Sequence, residues 1–357
     1  MEARELLESV RERADRTRAY LAADSFLAWV EPEHLRQAAA AYGERGGKGL
    51  RPAVVMTCCG AAGGEEEWAV AAAAAAEVTH NWTLVHDDVI DRDERRRGGP
   101  TVHAAFARRA AEELGLAPEE ARHYGLTTAL LAGDVGPCWA AHLLARLPEN
   151  GVTAPATAAA LATELAAVTV PAILAGEAED VLLSRRPLAE VALEAVEAML
   201  TKKTGALYAW CARAGATVGG AEEAFVAAVG RFAAACGTAF QHVDDTLAYF
   251  ADEGETGKAA ASDLREGKRT AAVLGAYGAA SAAQRRRIEV TLGRPEATAA
   301  ELEELKETIQ ALGGLDFARE RARSYYEEAR RELAVVPAGA YRDWLEAWAA
   351  FLVDRTY

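Results

Sequence analysis

Residues 71–76 are six alanines in a row, and alanine is abundant along the whole chain. Alanine is the strongest helix former. Leu, Val and Ala recur at spacings of three and four, the period of one helix face. No stretch alternates apolar and polar residues with the Val, Thr and Tyr enrichment of a strand. Gly and Pro clusters at residues 44–52, 97–100, 147–154, 184–187, 215–220, 254–267 and 293–295 break the pattern. They leave roughly ten or more helices of ordinary length. No composition shift or long linker marks a boundary in the 357 residues. The expectation is an all-α chain, a single domain over 1–357 of mostly antiparallel helices.

With 51% hydrophobic residues the chain can bury a large core. Its net charge of −15 argues against nucleic acid as a partner. It also disfavours an anionic substrate unless positive charge is concentrated locally. Lysine usage fits such concentration. Of six lysines, Lys48, Lys202, Lys203, Lys258 and Lys268 lie beside Gly or Thr in loop-like segments, and only Lys306 sits in an ordinary charged helix. The five cysteines are odd in number, form no CxxC and mostly have alanine-rich neighbours. They read as buried free thiols in a reducing cytoplasm. Residues 1–20 form a charged amphipathic helix rather than a signal peptide. No uninterrupted apolar run reaches membrane-spanning length, so no membrane span is expected.

Two acidic clusters stand out. The first lies in residues 77–103, EVTHNWTLVHDDVIDRDERRRGGPTVH. Asp87 and Asp91 are one helical turn apart on one face. At roughly 100° per residue His80 falls within about 20° of Asp87, so a helix presents His80, Leu84, Asp87 and Asp91 as one stripe. Carboxylates this close repel unless a cation sits between them. Mg2+ prefers one or two carboxylates with phosphate oxygens and water. Arg95, Arg96 and Arg97 follow, and guanidiniums suit phosphate oxygens. The second cluster lies in residues 240–270, FQHVDDTLAYFADEGETGKAAASDLREGKRT. It pairs Asp244 with Asp245, adds Asp252, and places Lys258 and Lys268 around a glycine-containing loop. Residues 46–52, GGKGLRP, let backbone approach an anion while Lys48 and Arg51 supply charge. That segment lacks P-loop spacing and a preceding strand. Residues 201–205, TKKTG, add a further cationic turn. The combined reading is a diphosphate gripped through magnesium.

In their order, GGKGLRP, the first aspartate motif with its arginines, GEAED at residues 176–180, Lys203-Thr204, FQ..DD and TGK…DLREGKRT resemble the trans-type polyprenyl synthetase family. These are the head-to-tail isoprenyl diphosphate synthases, and the resemblance covers nearly the whole chain. It implies an isoprenoid synthase-type bundle around a deep central cavity, and a homodimer. It implies a prenyltransferase that condenses an allylic diphosphate (dimethylallyl, geranyl or farnesyl) with isopentenyl diphosphate, using three Mg2+ per active site. By position, Asp87, Asp88 and Asp91 would bind Mg2+ on the allylic diphosphate, with Asp244 and Asp245 holding metal from the opposite wall. Arg96 would support the allylic diphosphate. Arg97, Lys48, Arg51 and His80 would hold isopentenyl diphosphate. Lys203, beside Thr204, would neutralise the leaving diphosphate with Gln241 and Lys258, and Lys268 would lie near it.

Two departures from the family pattern are visible. The second motif is commonly DDxxD, and its third acid is Ala248 here, with Asp252 one turn later. Gly49 stands where many members carry a basic residue. Product length in the family is set just before the first motif. Thr83 lies one turn below Asp87, about 6 Å along the helix, and should face down the cavity. Trp82 lies to the side, and its bulk can still wall the pocket. An aromatic there and the absence of a two-residue insertion between Asp87 and Asp91 point to geranylgeranyl diphosphate, then farnesyl diphosphate. A class I terpene cyclase would share the fold and metal chemistry. It usually carries an Asn/Ser/Glu metal triad, absent here, and would have no use for GGKGLRP. A non-catalytic subunit of a heteromeric synthase would tend to have lost an aspartate motif.

Overall fold

The computed structural model describes residues 1–247, 249 and 262–354. Helices make up almost all of it, as the alanine-rich periodicity requires. The only strands among the described residues are Arg95–Arg96 and Gly99–Pro100. The described residues fall into two compact units, 1–166 with 211–226, and 167–210 with 227–247, 249 and 262–354.

The first unit holds α1 (Ala3–Ala23), α2 (Glu33–Glu44), α3 (Leu50–Ala61), α4 (Val70–Ile90), α5 (Val102–Leu114), α6 (Pro118–Ala145) and α7 (Pro155–Glu164). Helix α1 starts in a capping box, in which Glu2 and Glu5 each accept from the other's backbone N–H. Its buried residues Leu6, Val10, Ala14 and Thr17 recur every three to four positions, the amphipathic face expected of it. Ala71–Ala76 are all buried, so α4 is wrapped almost all round and shows little of the periodicity of a surface helix. Its tightest seam is with α6. A Cβ at Gly133 would lie 2.0 Å from His86 Nε2, and one at Gly136 would lie 2.3 Å from Trp82 Cβ. Glycine at both positions is what lets the axes close. Ala38, Tyr42, Val85, Val102, Phe106, Ala129 and Ala132 complete the core beneath α2, α4, α5 and α6.

The second unit holds α8 (Val170–Leu183), α9 (Leu193–Leu200), α12 (Ser262–Glu266), α13 (Ala271–Ala279), α14 (Ala282–Thr291), α15 (Ala299–Ala311), α16 (Gly314–Glu332) and α17 (Ala340–Asp354). Helices α10 (Ala206–Val218) and α11 (Glu223–Leu247) contribute residues to both units. One core gathers Leu264, Val273, Ile288, Leu302, Leu305 and Ile309. A separate aromatic group joins Tyr208, Phe232 and Trp344 around Trp348, with ring centroids 5.5 to 6.3 Å away. Thr298 and Glu301 box the start of α15, and Ser281 and Gln284 that of α14.

Two π-helical turns lie inside longer helices, Leu165–Thr169 between α7 and α8 and Thr201–Gly205 between α9 and α10. The first makes Pro155–Leu183 one continuous helix with mean hydropathy 1.8 in its most apolar window, of which 28% is buried. It and Glu223–Leu247 are long and apolar enough to cross a membrane by length and composition. Both contain charged residues, Glu164 in the first and Arg231 in the second, so neither is an uninterrupted apolar run. Glu164 interrupts the first apolar run without interrupting the helix, so a search for uninterrupted runs passes over it.

Candidate active site

The first aspartate motif lies at the C-terminal end of α4. The Asp91 N–H still donates to the Asp87 carbonyl at 2.8 Å, which places the two half-buried carboxylates one turn apart. Acids here face the negative end of the helix dipole, so a cation relieves both the dipole and their mutual repulsion. Asp88 is placed differently. It is 0% exposed, and its two oxygens accept from the Tyr42 hydroxyl and from Arg96 Nε, the latter at 2.5 Å. Burial pushes its pKa up to about 6 against the opposing pull of Arg96. Arg96 also reaches Asp87 at 3.4 Å and Asp93 at 3.6 Å. Of the three expected ligands, Asp87 and Asp91 are thus half-exposed and Asp88 is enclosed.

Arg96 and Arg97 reach these positions through a two-residue hairpin. Arg95 pairs with Pro100 and Arg96 with Gly99, across Arg97 (φ 50°) and Gly98 (φ 73°). Positive φ at both turn residues matches the twist of a tight hairpin. The turn carries Arg97 back onto α2 and α4, where Nη1 donates to the Tyr42 carbonyl at 2.6 Å and to Asn81 Oδ1 at 3.1 Å. A Cβ at Gly47 would lie 2.8 Å from Arg97 Nη2, so the GGKGLRP turn abuts this guanidinium. Burial pushes the Glu77 carboxyl up against the pull of Arg97 and Arg51. Burial, then Arg51 and Arg97, holds His80 well below its usual value, so its imidazole is neutral. Lys48 is exposed on the turn. Thr83 Oγ1 donates to the His80 carbonyl at 2.8 Å. The Trp82 ring is 6% exposed and lies edge-on to His86, with centroids 5.6 Å apart.

In the second unit Lys203 projects from the Thr201–Gly205 turn. Its Nζ lies 2.7 Å from Glu177 and 2.8 Å from Asp180. The helices touch here because a Cβ at Gly176 would be 2.4 Å from the Lys203 backbone nitrogen. Thr204 Oγ1 donates to Gln241 Oε1 at 2.9 Å, and Gln241 Nε2 donates to Asp245 Oδ1 at 2.9 Å. Burial, then the nearby Asp263, pushes Asp245 up to about 7. Asp244 is half-buried beside it. Lys268 lies 3.5 Å from Asp263 and 3.2 Å from Glu266. Oxygen donors crowded until one resists ionising fit a hard divalent cation. Behind the pair, His242 is fully buried 3.8 Å from Glu197, which Arg321 grips at 2.6 and 3.2 Å. Burial and Arg321 push His242 down to about 4.

The structure therefore joins Asp87, Asp88 and Arg96 by ion pairs, ties Arg97 to the same group through Tyr42, and joins Lys203, Thr204, Gln241 and Asp245 around GEAED and FQ..DD. Lys258, Ala248 and Asp252 lie outside the described residues. Sequence reasoning gave no role to Glu177 and Asp180, although GEAED marked the segment. It missed Tyr42, Asn81 and Glu77. Tyr42 is a lone tyrosine near the end of the alanine-rich α2, and nothing in its spacing sets it apart.

The polyprenyl synthetase family model matches residues 32–309. Geranylgeranyl pyrophosphate synthase from Geoglobus acetivorans is 33% identical over 338 residues, 94% of this chain and 95% of that one. The crystal structure of geranylgeranyl pyrophosphate synthetase from Pyrococcus horikoshii superposes with a TM-score of 0.83 at 30% identity, over 99% of each chain. That of geranylgeranyl pyrophosphate synthase from Corynebacterium glutamicum, complexed with isoprenyl diphosphate and magnesium, gives 0.82 at 27% identity over 100% of each. The chain belongs to the polyprenyl synthetase family and is a prenyltransferase with the all-α isoprenoid synthase fold.

Proposed function

We propose that this prenyltransferase acts as one synthase domain over its whole length, condensing an allylic diphosphate with isopentenyl diphosphate and forming mainly geranylgeranyl diphosphate. The observation that carries the reading is the end of α4, where half-buried Asp87 and Asp91 lie one turn apart, Arg96 reaches Asp87, and Arg96 and Arg97 are both fixed by hydrogen bonds. Asp87 and Asp91, with Asp244 and Asp245, are the residues that would hold Mg2+, three ions by family resemblance. When bound, the metal neutralises the departing diphosphate. Asp88 orients Arg96 toward the allylic diphosphate. Arg97, Lys48, Arg51 and neutral His80 hold isopentenyl diphosphate through charge and hydrogen bonds. Lys203, with Gln241, Lys258 and Lys268, stabilises negative charge as it develops on the leaving group, which is electrostatic rather than covalent catalysis. Trp82 limits chain growth beside Thr83.

We further propose a cytoplasmic homodimer. Cys58, Cys59, Cys211 and Cys236 are buried free thiols, which supports the compartment, whereas Cys138 is exposed against expectation. The exposed apolar residues Leu126, Leu130 and Leu131 on α6 support the dimer.

The test supplies Mg2+, isopentenyl diphosphate and each allylic diphosphate in turn, then sizes the products. Geranylgeranyl diphosphate should accumulate, and Asp87→Ala should lose nearly all turnover. A hydrocarbon product formed without isopentenyl diphosphate would make the chain a cyclase. No turnover with any primer would make it a partner subunit.

A further inference from the structure

Tyr42 joins both arginines of the first site and has no assigned part in the reaction. Its side chain is 1% exposed in the core of the first unit. Its hydroxyl donates to Asp88 Oδ2 and accepts from the Val102 N–H at 3.3 Å. Val102 is the first residue of α5, whose N–H has no partner within its own helix. That N–H can only donate, so the single phenolic hydrogen is committed to Asp88. Asp88 in turn fixes Arg96 through its other oxygen at 2.5 Å. The Tyr42 carbonyl takes Arg97 Nη1 at 2.6 Å. One residue therefore sets two neighbouring guanidiniums, the first through its side chain and the second through its backbone.

We infer that Tyr42 is a positioning residue for the first diphosphate site, its hydroxyl aligning Asp88 and hence Arg96, while its backbone separately aligns Arg97. A space-filling core tyrosine would need some partner for its hydroxyl, but it need not affect one substrate more than the other. The two routes make the inference testable, because Tyr42→Phe cuts the first and spares the second.

The inference rests on the prenyl-transfer reading, and wild-type condensation is measured alongside as its control. In Tyr42→Phe, KM for the allylic diphosphate and the Mg2+ needed for half-maximal rate should each rise about tenfold, as loss of one oriented ionic contact predicts. KM for isopentenyl diphosphate should stay within about twofold, since the carbonyl contact to Arg97 remains. Asp88→Asn should show the same split. It serves as the second arm if the phenylalanine variant does not fold. Adding Tyr42→Phe to Asp88→Asn should cost less than about twofold more, as expected for two groups acting in series. An equal rise in both KM values, full additivity of the pair, or a loss that merely follows the melting temperature would overturn the inference. An inactive wild type would instead overturn the reading beneath it.

Discussion

Gly49 stands where the resemblance leads one to expect a basic residue, and the backbone explains why a side chain is excluded. Its φ is 66°, and a Cβ there would lie 2.3 Å from that of Ala14 in α1. Gly49→Arg should therefore cost about 2–4 kcal/mol, combining left-handed strain with overpacking, as denaturant melts would show. Asp245 allows a pH prediction for the metal-free protein. Its folded value of about 7 exceeds its ordinary 3.8. Between those values the unfolded chain ionises more readily than the folded one, so stability falls as pH rises and levels off above about 7. Asp245→Asn should thus melt several degrees above wild type at pH 8, with the gap closing toward pH 4. Mg2+ should reverse the order, because only the carboxylate gains from it. At this scale the sequence revealed the charged residues and hid their restraints. Asp87, Arg96 and Lys203 were visible as types at spacings. The Tyr42 hydrogen bond links residues 46 positions apart, and no periodicity reports such a contact.

Between α4 and α6 the spacing depends on Gly133 and Gly136, and Trp82 is held against the second of these. Trp82→Ala should lengthen the products, and unchanged product sizes would remove its role as a wall. Gly136→Ala acts in the opposite sense, pressing the Trp82 side chain away from α6. It should shorten products and lower stability by about 1–3 kcal/mol. The stripe His80, Leu84, Asp87 and Asp91 was legible because helical geometry alone places it. The hairpin after it was not, because its turn needs positive φ at Arg97, where Gly or Asn is the usual signal.

A molecule with a net charge of −15 that handles diphosphates depends on local cations and on metal. Mg2+ with inorganic diphosphate should therefore raise the melting temperature, and chelation should abolish the rise. At a hundred times Kd the gain is about 2.7 kcal/mol, or several degrees. If the exposed α6 leucines face a second copy, Leu130→Glu with Leu131→Glu should convert dimer to monomer in light scattering. The helical class was plain from composition, since alanine at this density leaves few alternatives. The grouping of residues 1–166 with 211–226 was not, because chain segments distant in sequence share contacts without sharing a pattern.

The wide turn at Thr201–Gly205 carries a consequence for how this chain can change by insertion and deletion. A π turn holds one residue more than an α turn, so losing a single residue there would leave a regular, unbroken helix. Folding would tolerate the loss, because the flanking helices keep their register and only the residues of the turn itself are displaced. Lys203 would swing away from Glu177 and Asp180 while the protein still expressed and melted normally. The turn is thus a place where reading-frame-preserving loss of one codon would silence the enzyme without unfolding it.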